Sequence, residues 1–342
     1  MSVDNEEIIV LGIESTAHTF GVGLATSKGK ILANVNESYR PKEGGIHPRE
    51  SAEYLSAVAP KVLFKAMEDA GITFREIHGV AVALGPGLGP CLRVGASIAR
   101  ALSIKFKIPL IPVNHGVAHI EIGRLTEKMF DPLVVYLSGG NTLIAAFSQE
   151  RYRIFGETLD IAIGNCIDVF AREIGLGFPG GRAVDELASR GSRYVELPYV
   201  VKGQDLSFAG ILTAALRLFR EGRYPVEDIA YSFVETLYSM VAEVAERGLV
   251  HTGKRELLLV GGVARSPLLR KKLETISRDH NVKFRCVKPE FAGDNGAMIA
   301  YTGALALKAG VKTKVEESYI KPRWRVDEVD IPWFHMVRKM II

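Results

Sequence analysis

The chain has 342 residues, 47% hydrophobic and 24% charged: an ordinary globular composition, and too long for one small core. A net charge of +4 and a pI near 8.8 allow a nucleic-acid partner without demanding one. Cys91, Cys166 and Cys286 form no C-x-x-C pair, no apolar run approaches the roughly 20 residues of a membrane helix, and the start MSVDNEEIIV has no basic leader region. These features exclude a disulfide framework, a zinc ribbon and a membrane anchor, and they predict a cytoplasmic chain.

In chain order, the first element is IIVLGIESTAHTFGVGLATSKGKILA, Ile8 to Ala33. It reads as an apolar strand, a tight polar turn at GIEST, a second strand, a reversal at Lys28-Gly29 and a third short strand. GVAVALGPGLGPCLRVGASIARAL, Gly79 to Leu102, reads as a strand running into a glycine turn and a helix. VNHGVAHIEIG, Val113 to Gly123, places His115 and His119 four residues apart. On a helix, that spacing puts both rings on one face, about 40° apart. Two such imidazoles either grip one ion or are polar residues on an ordinary helix; the pair alone does not decide.

The second half repeats the order. PLVVYLSGGNTLIAAFSQERYRIFG, Pro132 to Gly156, is again strand, polar turn, strand, reversal at Gln149-Glu150, strand. ELLLVGGVARSPLLRKKLE, Glu256 to Glu274, is again strand, glycine turn, helix. Internal repetition fixes architecture. It predicts two related α/β units, residues 1–131 and 132–327, the first joined by part of the C-terminal segment, with a tail over 328–342. A nucleotide in the cleft between them would meet glycine turns from both sides, because free N–H groups at a helix start attract anions. The arrangement resembles the ribonuclease-H-like superfamily of actin, hexokinase and the heat-shock-protein ATPases. Two stretches are rich in Lys and Arg: Arg265 to Lys288, and KPRWR at Lys321 to Arg325. Each is either a solvated face or a phosphate-contacting surface.

Ten segments carry a closer resemblance: GIESTAHTFGVG, GGIHPRE, GPGLGPCLR, NHGVAHIEIG, YLSGGNT, FGETLDIAIGN, FPGG, VHTGK, LLVGGVA and DNGAMIAYTG. From about Ile9 to Val326 the chain resembles the TsaD/archaeal KEOPS catalytic subunit family. The resemblance implies an acyltransferase that moves a threonylcarbamoyl group from threonylcarbamoyl-AMP to the adenosine beside a tRNA anticodon. It also implies one divalent metal per chain, iron by the resemblance with zinc an alternative, held by His115, His119, Tyr136 and Asp294. The donor, in a site compatible with ATP, is expected on Tyr136, Leu137, Ser138, Gly139 and Gly140. Asp168 and Asp294 are further expected contacts, with Gly181 and Asp185 around the ribose and Gly261, Gly262 and Ser266 by the adenine. Glu14 is the candidate catalytic residue, and His18 lies in the same turn. The implied partners are tRNA and KEOPS subunits: a small kinase/ATPase, a dimerising subunit and a tRNA-binding subunit.

The chain departs from the family pattern at Tyr54 and Leu55, where archaeal relatives carry two histidines, and at Leu84, where a polar residue is usual. Ser266 stands for the usual Asn, Asp185 for Glu, and SFAG at Ser207 to Gly210 for SFSG. None of these removes a metal ligand. A metalloprotease would need a glutamate after the first histidine, where this chain has Gly116. A small-molecule kinase of the same superfamily and a non-catalytic nucleotide- or tRNA-binding scaffold are the remaining rivals.

Overall fold

The computed structural model describes residues 7–41 and 44–341. The first six residues of the acidic start, and Ile342 at the end of the expected tail, lie outside the described residues.

The first half runs β1 (Ile9–Glu14), β2 (Thr19–Thr26), β3 (Ile31–Ser38), α1 (Pro48–Ala70), β4 (Gly79–Gly85), α2 (Gly89–Phe106), β5 (Leu110–Asn114) and α3 (His115–Glu127). The second begins with β6 (Leu133–Leu137), β7 (Thr142–Ser148) and β8 (Arg151–Glu157). A helical insertion follows: α4 (Ile163–Glu173), α5 (Gly181–Ala188), the small hairpin β9 (Val201–Lys202) and β10 (Asp205–Leu206), α6 (Ala209–Glu221) and α7 (Val226–Thr252). Then come β11 (Glu256–Val260), α8 (Pro267–Asp279), β12 (Lys283–Cys286), α9 (Pro289–Ala292), α10 (Gly296–Lys308) and α11 (Arg338–Ile341).

Two five-stranded sheets result, ordered β3-β2-β1-β4-β5 and β8-β7-β6-β11-β12. In each, the first three strands form an antiparallel meander, and the first of them runs parallel to the remaining two, which end at the opposite edge. The repeated sequence order therefore becomes a repeated topology. β4 and β6 are buried along their whole length, as apolar runs in parallel sheets covered on both faces must be. The Gln149-Glu150 reversal has both residues at positive φ, 50° and 63°, the twist that a two-residue hairpin requires.

Two expectations are corrected. β3 is not short: it continues to Ser38 and is as long as β2, because Asn34 and Asn36 along it pair with a helix end described below. The two glycine turns also differ. The 85–89 turn is covered by the chain's own C-terminal segment: Lys321 N–H donates to the Leu84 carbonyl at 2.7 Å and Gly87 N–H to the Pro322 carbonyl at 3.1 Å. The Gly261-Gly262 turn stays uncovered at Gly262, where an added Cβ would meet nothing within 4 Å.

The last helix of each half crosses to the other half. α3 packs on β6 and β11, while α10 packs on β1, β2 and β4. Glycine makes the second crossing possible. A Cβ at Gly12 would stand 2.1 Å from the Ala300 nitrogen, and one at Gly23 would stand 2.3 Å from that of Ala297. The helix backbone thus lies directly on the sheet. Residues after Asp330 are packed rather than loose. Ile331, Trp333, Phe334 and Val337 are buried, and Phe334 stacks on Phe147 and sits 4.0 Å from the Arg124 guanidinium. Among the described residues no helix is long and apolar enough to cross a membrane, and all three cysteines are free.

Candidate metal centre and active site

The C-terminal ends of the parallel strands are where open α/β sheets place their ligands. Here β1 ends at Glu14, β5 at Asn114, β6 at Leu137 and β11 at Val260. Every candidate from the sequence lies on or just beyond these ends, or on the helices that face them.

Asn114 closes β5 and caps α3, its side-chain oxygen accepting from Val117 N–H at 3.1 Å. The cap fixes where the helix starts, so His115 and His119 point the same way from successive turns. Asp294 reaches them from the other half. It precedes Asn295, which caps α10 by accepting from Met298 N–H at 3.0 Å. The start of α10 is pinned again from β3: Gly296 N–H donates to Asn36 at 3.0 Å and Ala297 N–H to Asn34 at 3.3 Å.

One ligand atom from each of His115, His119 and Asp294 falls within 4.8 Å of the others. Asp294 Oδ1 lies 3.4 Å from His115 Nε2 and 3.3 Å from His119 Nε2. His115 Nδ1–H donates to Glu14 at 2.8 Å, and this orients the ring so that Nε2 faces Asp294. A carboxylate behind a ligating imidazole is the usual support for a metal histidine. Glu14 is itself held: Thr16 donates to it through its backbone N–H at 2.6 Å and its hydroxyl at 2.5 Å.

Electrostatics follow the geometry. Burial pushes the His115 proton off, but Glu14, Tyr136 and Asp294 outweigh it and raise the group well above the usual imidazole range. Burial dominates at His119 and lowers it. Burial alone would raise Asp294; the two imidazoles reverse that and hold its carboxyl well below the usual range. The result is a buried carboxylate between two imidazoles, one kept neutral. His119 Nδ1 is buried without a partner. Two imidazoles and a carboxylate within coordination reach, closed to bulk water on the histidine side, suit a divalent transition metal. The residues therefore fit the metal that the resemblance implies.

Tyr136, at the end of β6, is fully buried with its ring tilted against His119 at 5.1 Å between centroids. Its phenol is pushed up by burial, with His115 working in the opposite direction. Leu137 is buried behind it. Ser138 then turns the chain, its hydroxyl accepting from Gly140 N–H at 3.3 Å and Asn141 N–H at 3.0 Å. Gly139 and Gly140 are exposed, and a Cβ on either would meet nothing within 4 Å, so the backbone there is open to a ligand.

Beyond this turn lie the remaining candidates. Gly261 has φ 93°, and a Cβ there would stand 2.2 Å from the Leu137 carbonyl, so only glycine lets β11 leave beside the Ser138 turn. After a 3-10 turn, Ser266 caps α8 by accepting from Leu269 N–H at 3.3 Å. Asp185, on α5, accepts from the Tyr238 hydroxyl at 3.1 Å; burial raises its carboxyl, and Ser266 and Tyr238 oppose that. Gly262, Ser266 and Asp185 thus form one corner. Asp168, on α4, accepts from Gly180 N–H at 2.8 Å and tethers the loop leading to Gly181. Burial raises it, and the Gly180 N–H, His18 and Arg172 oppose that. His18 packs edge-on to Phe178 at 6.1 Å, and its Nδ1 has no partner.

Sequence reasoning missed Thr16, Asn34, Asn36, Asn114 and Asn141, whose amide reaches the Tyr136 hydroxyl at 3.5 Å. Asn114 carried a readable signal, an Asn directly before a helical His pair. Asn34 and Asn36 carried none, since their partners are 260 residues away or more.

The family model described as "TsaD: tRNA N6-adenosine threonylcarbamoyltransferase" matches residues 30–301. A Thermofilum pendens protein named tRNA N6-adenosine threonylcarbamoyltransferase is 62% identical, over 95% of this chain and 96% of its own. A Saccharolobus islandicus protein of the same name is 56% identical, over 95% of this chain and 99% of its own. Among solved structures, HypF of T. kodakarensis superposes with a TM-score of 0.63 at 15% identity, over 88% of this chain and 48% of that one. Component A of (R)-2-hydroxyglutaryl-CoA dehydratase from Acidaminococcus fermentans gives 0.54 at 13% identity, over 87% of this chain and 98% of that one. These two likenesses speak to fold alone. With the repeated sheet order, they identify a duplicated ribonuclease-H-like architecture.

Proposed function

The chain belongs to the TsaD family of tRNA N6-adenosine threonylcarbamoyltransferases, and from that premise we propose how its cleft performs the transfer. The donor is threonylcarbamoyl-AMP. The exocyclic amine of a tRNA adenosine beside the anticodon attacks the carbamoyl carbonyl. A C–N bond forms, the carbonyl–phosphate C–O bond breaks, and AMP leaves with the bonding pair while the amine loses a proton. That amine is a poor nucleophile, so orientation and stabilisation of the developing oxyanion matter more than a strong base.

The observation that carries this reading is the meeting of His115, His119 and Asp294 from opposite halves, next to the open Gly139-Gly140 turn. His115, His119, Asp294 and Tyr136 would hold a divalent metal, iron by family resemblance. When bound, such an ion supplies a Lewis acid for the donor's oxygens. The Ser138–Gly140 turn offers the Gly139 N–H and an open backbone to the donor's phosphate. Asp185, with Gly261, Gly262 and Ser266, would take its ribose and adenine, and Asp168 would order Gly181 for the same purpose. Glu14 has both oxygens engaged in a fully buried setting. We read it as a positioning residue that acts through His115. The two sheets, each completed by the other half's last helix, support a division at 131/132, and residues 328–341 then belong to the second unit's core.

KEOPS-type partners, a small kinase/ATPase, a dimerising subunit and a tRNA-binding subunit, extend this reading, as does a cytoplasmic location; both rest on the family. The test is single-turnover transfer from threonylcarbamoyl-AMP to tRNA, with and without those subunits. Product formation that requires His115, His119 and Asp294 supports the assignment. Transfer that survives replacement of all three contradicts it.

A further inference from the structure

Two basic stretches compete for the tRNA, and the structure separates them. In the first, some cations lean on backbone carbonyls or face carboxylates. Arg265 donates to the Pro289 carbonyl at 3.0 Å and Arg270 to that of Ala264 at 2.6 Å. Lys272 pairs with Glu235 at 2.5 Å, and Lys283 lies 3.6 Å from Glu256. Lys271, Arg285 and Lys288 stay exposed on this face and, among the described residues, pair with no carboxylate, so the two stretches differ in the groove that the second one lines rather than in free charge.

The second stretch divides differently. Arg325 is spent on Glu157 and Asp327, each at 3.0 Å. Among the described residues, Lys321 and Arg323 pair with no carboxylate, and both are exposed. Together with Pro322, half-buried Trp324 and Glu328 they line an open groove of 580 Å³. Lys321 holds its ammonium 4.6 Å from the Trp324 ring, a cation over an aromatic face. Glu328, on the same wall, accepts the Arg325 N–H at 3.1 Å. The groove therefore offers two uncommitted cations and an aromatic wall.

Its position relative to the metal cluster is fixed by two short routes. The Asn114 amide donates to the Trp324 carbonyl at 3.1 Å, and the next residue is His115. On the other side, Gly87 N–H donates to Pro322, Leu88 N–H donates to the Thr16 carbonyl at 2.7 Å, and the Thr16 hydroxyl lies 3.3 Å from His115 Nδ1. A substrate adenosine delivered to the cluster brings its neighbours in the single-stranded loop along with it.

We propose that the Lys321–Trp324 groove seats a nucleotide of the anticodon loop that flanks the target adenosine. The base stacks on Trp324, displacing the Lys321 head toward the phosphate, and Arg323 meets the backbone. A cationic groove with an aromatic platform suits an unpaired nucleotide, because every base has a stacking face and every linkage carries a charge. The proposal rests on the tRNA substrate of the preceding subsection.

The chain has two tryptophans, and Trp333 is buried. The full-length Trp333→Phe protein thus reports on Trp324 alone. Titrated with an anticodon stem-loop RNA in the absence of donor, its emission should quench in step with binding measured by anisotropy. Lys321→Ala with Arg323→Ala, a surface change that leaves the core intact, should weaken binding roughly ten-fold and flatten its salt dependence by about one to two counterions. Lys272→Ala should leave binding as it was. Saturable stem-loop binding without a change in Trp324 emission, or unchanged affinity in the double variant, overturns the proposal. So does equal quenching by polyglutamate, which would mark the groove as a site for an acidic protein segment. A chain that transfers but shows no quenching loses the groove and keeps the function. One that quenches but never transfers does the reverse.

Discussion

α3 and α10 occupy equivalent places in the two halves and solve one problem in different ways. Each follows the last strand of its sheet, crosses to the opposite sheet, starts at an Asn cap and brings a ligand to the cleft from its N-terminal end. α10 is apolar and small-residued, and it reaches its sheet through glycines. α3 carries a fully buried charge pair: Arg124 donates to Glu121 at 2.8 Å, to the Phe130 carbonyl at 2.8 Å and to Tyr152 at 3.3 Å. The C-terminal segment closes over that pair, with Phe334 against the guanidinium. The two histidines thus sit on a helix fixed by specific polar partners, and the aspartate on one fixed by close backbone packing. Two rigid supports on opposite halves let a shared ligand set also hold the halves in register.

The comparison can be broken at its largest effect by removing ligands. His119→Ala or Asp294→Ala should each abolish stoichiometric metal binding, measured by elemental analysis on folded protein. Full occupancy in either variant would mean that the two helices do not share a site. Next is the support of α3. Arg124→Ala strands Glu121 in the core and should cost about 3–5 kcal/mol in denaturant unfolding. A loss under about 1 kcal/mol would show that water reaches the pair.

The caps give a smaller, sharper contrast. Asn295→Ala removes a helix cap and should cost about 1 kcal/mol. Asn114→Ala should cost more, because its amide ties down the distant Trp324 and Arg325 carbonyls at 3.1 and 3.3 Å, whereas the Asn295 amide holds only its chain neighbours, Gly293 at 2.8 Å and Phe291 at 3.4 Å. Equal losses in urea unfolding would mean that this tie carries no energy. Smallest is Thr302→Val on α10. The Thr302 hydroxyl is buried without a partner, so exchanging it for a methyl should be neutral or slightly stabilising, within about 0.5 kcal/mol. A clear loss would reveal a polar contact on the helix described here as apolar.

The sequence made the architecture readable because both halves repeat one order of strand, turn and helix, and period and punctuation are local properties. His115 and His119 were readable for the same reason, being four residues apart on one helix. Their meeting with Asp294 was not readable from spacing, since 175 residues separate it from His119; only the family resemblance joined them. The engagement of Glu14 with His115 was equally hidden, because it depends on β1 and β5 ending at the same side of the sheet with β4 between them. The charge count marked both basic stretches alike. Only the folded chain shows that Lys272 is paired with a carboxylate and that Lys321 and Arg323 line an open groove beside an aromatic ring.

The metal site is put to the test by single-turnover threonylcarbamoyl transfer to tRNA by the metal-depleted protein, before and after a divalent metal is restored, in wild type and in the His115→Ala/His119→Ala variant. Wild type should lose activity on depletion and regain it on restoration, while the variant stays inactive throughout, although it is folded and still binds the donor. Transfer by the variant at the wild-type rate, with or without metal, would contradict this.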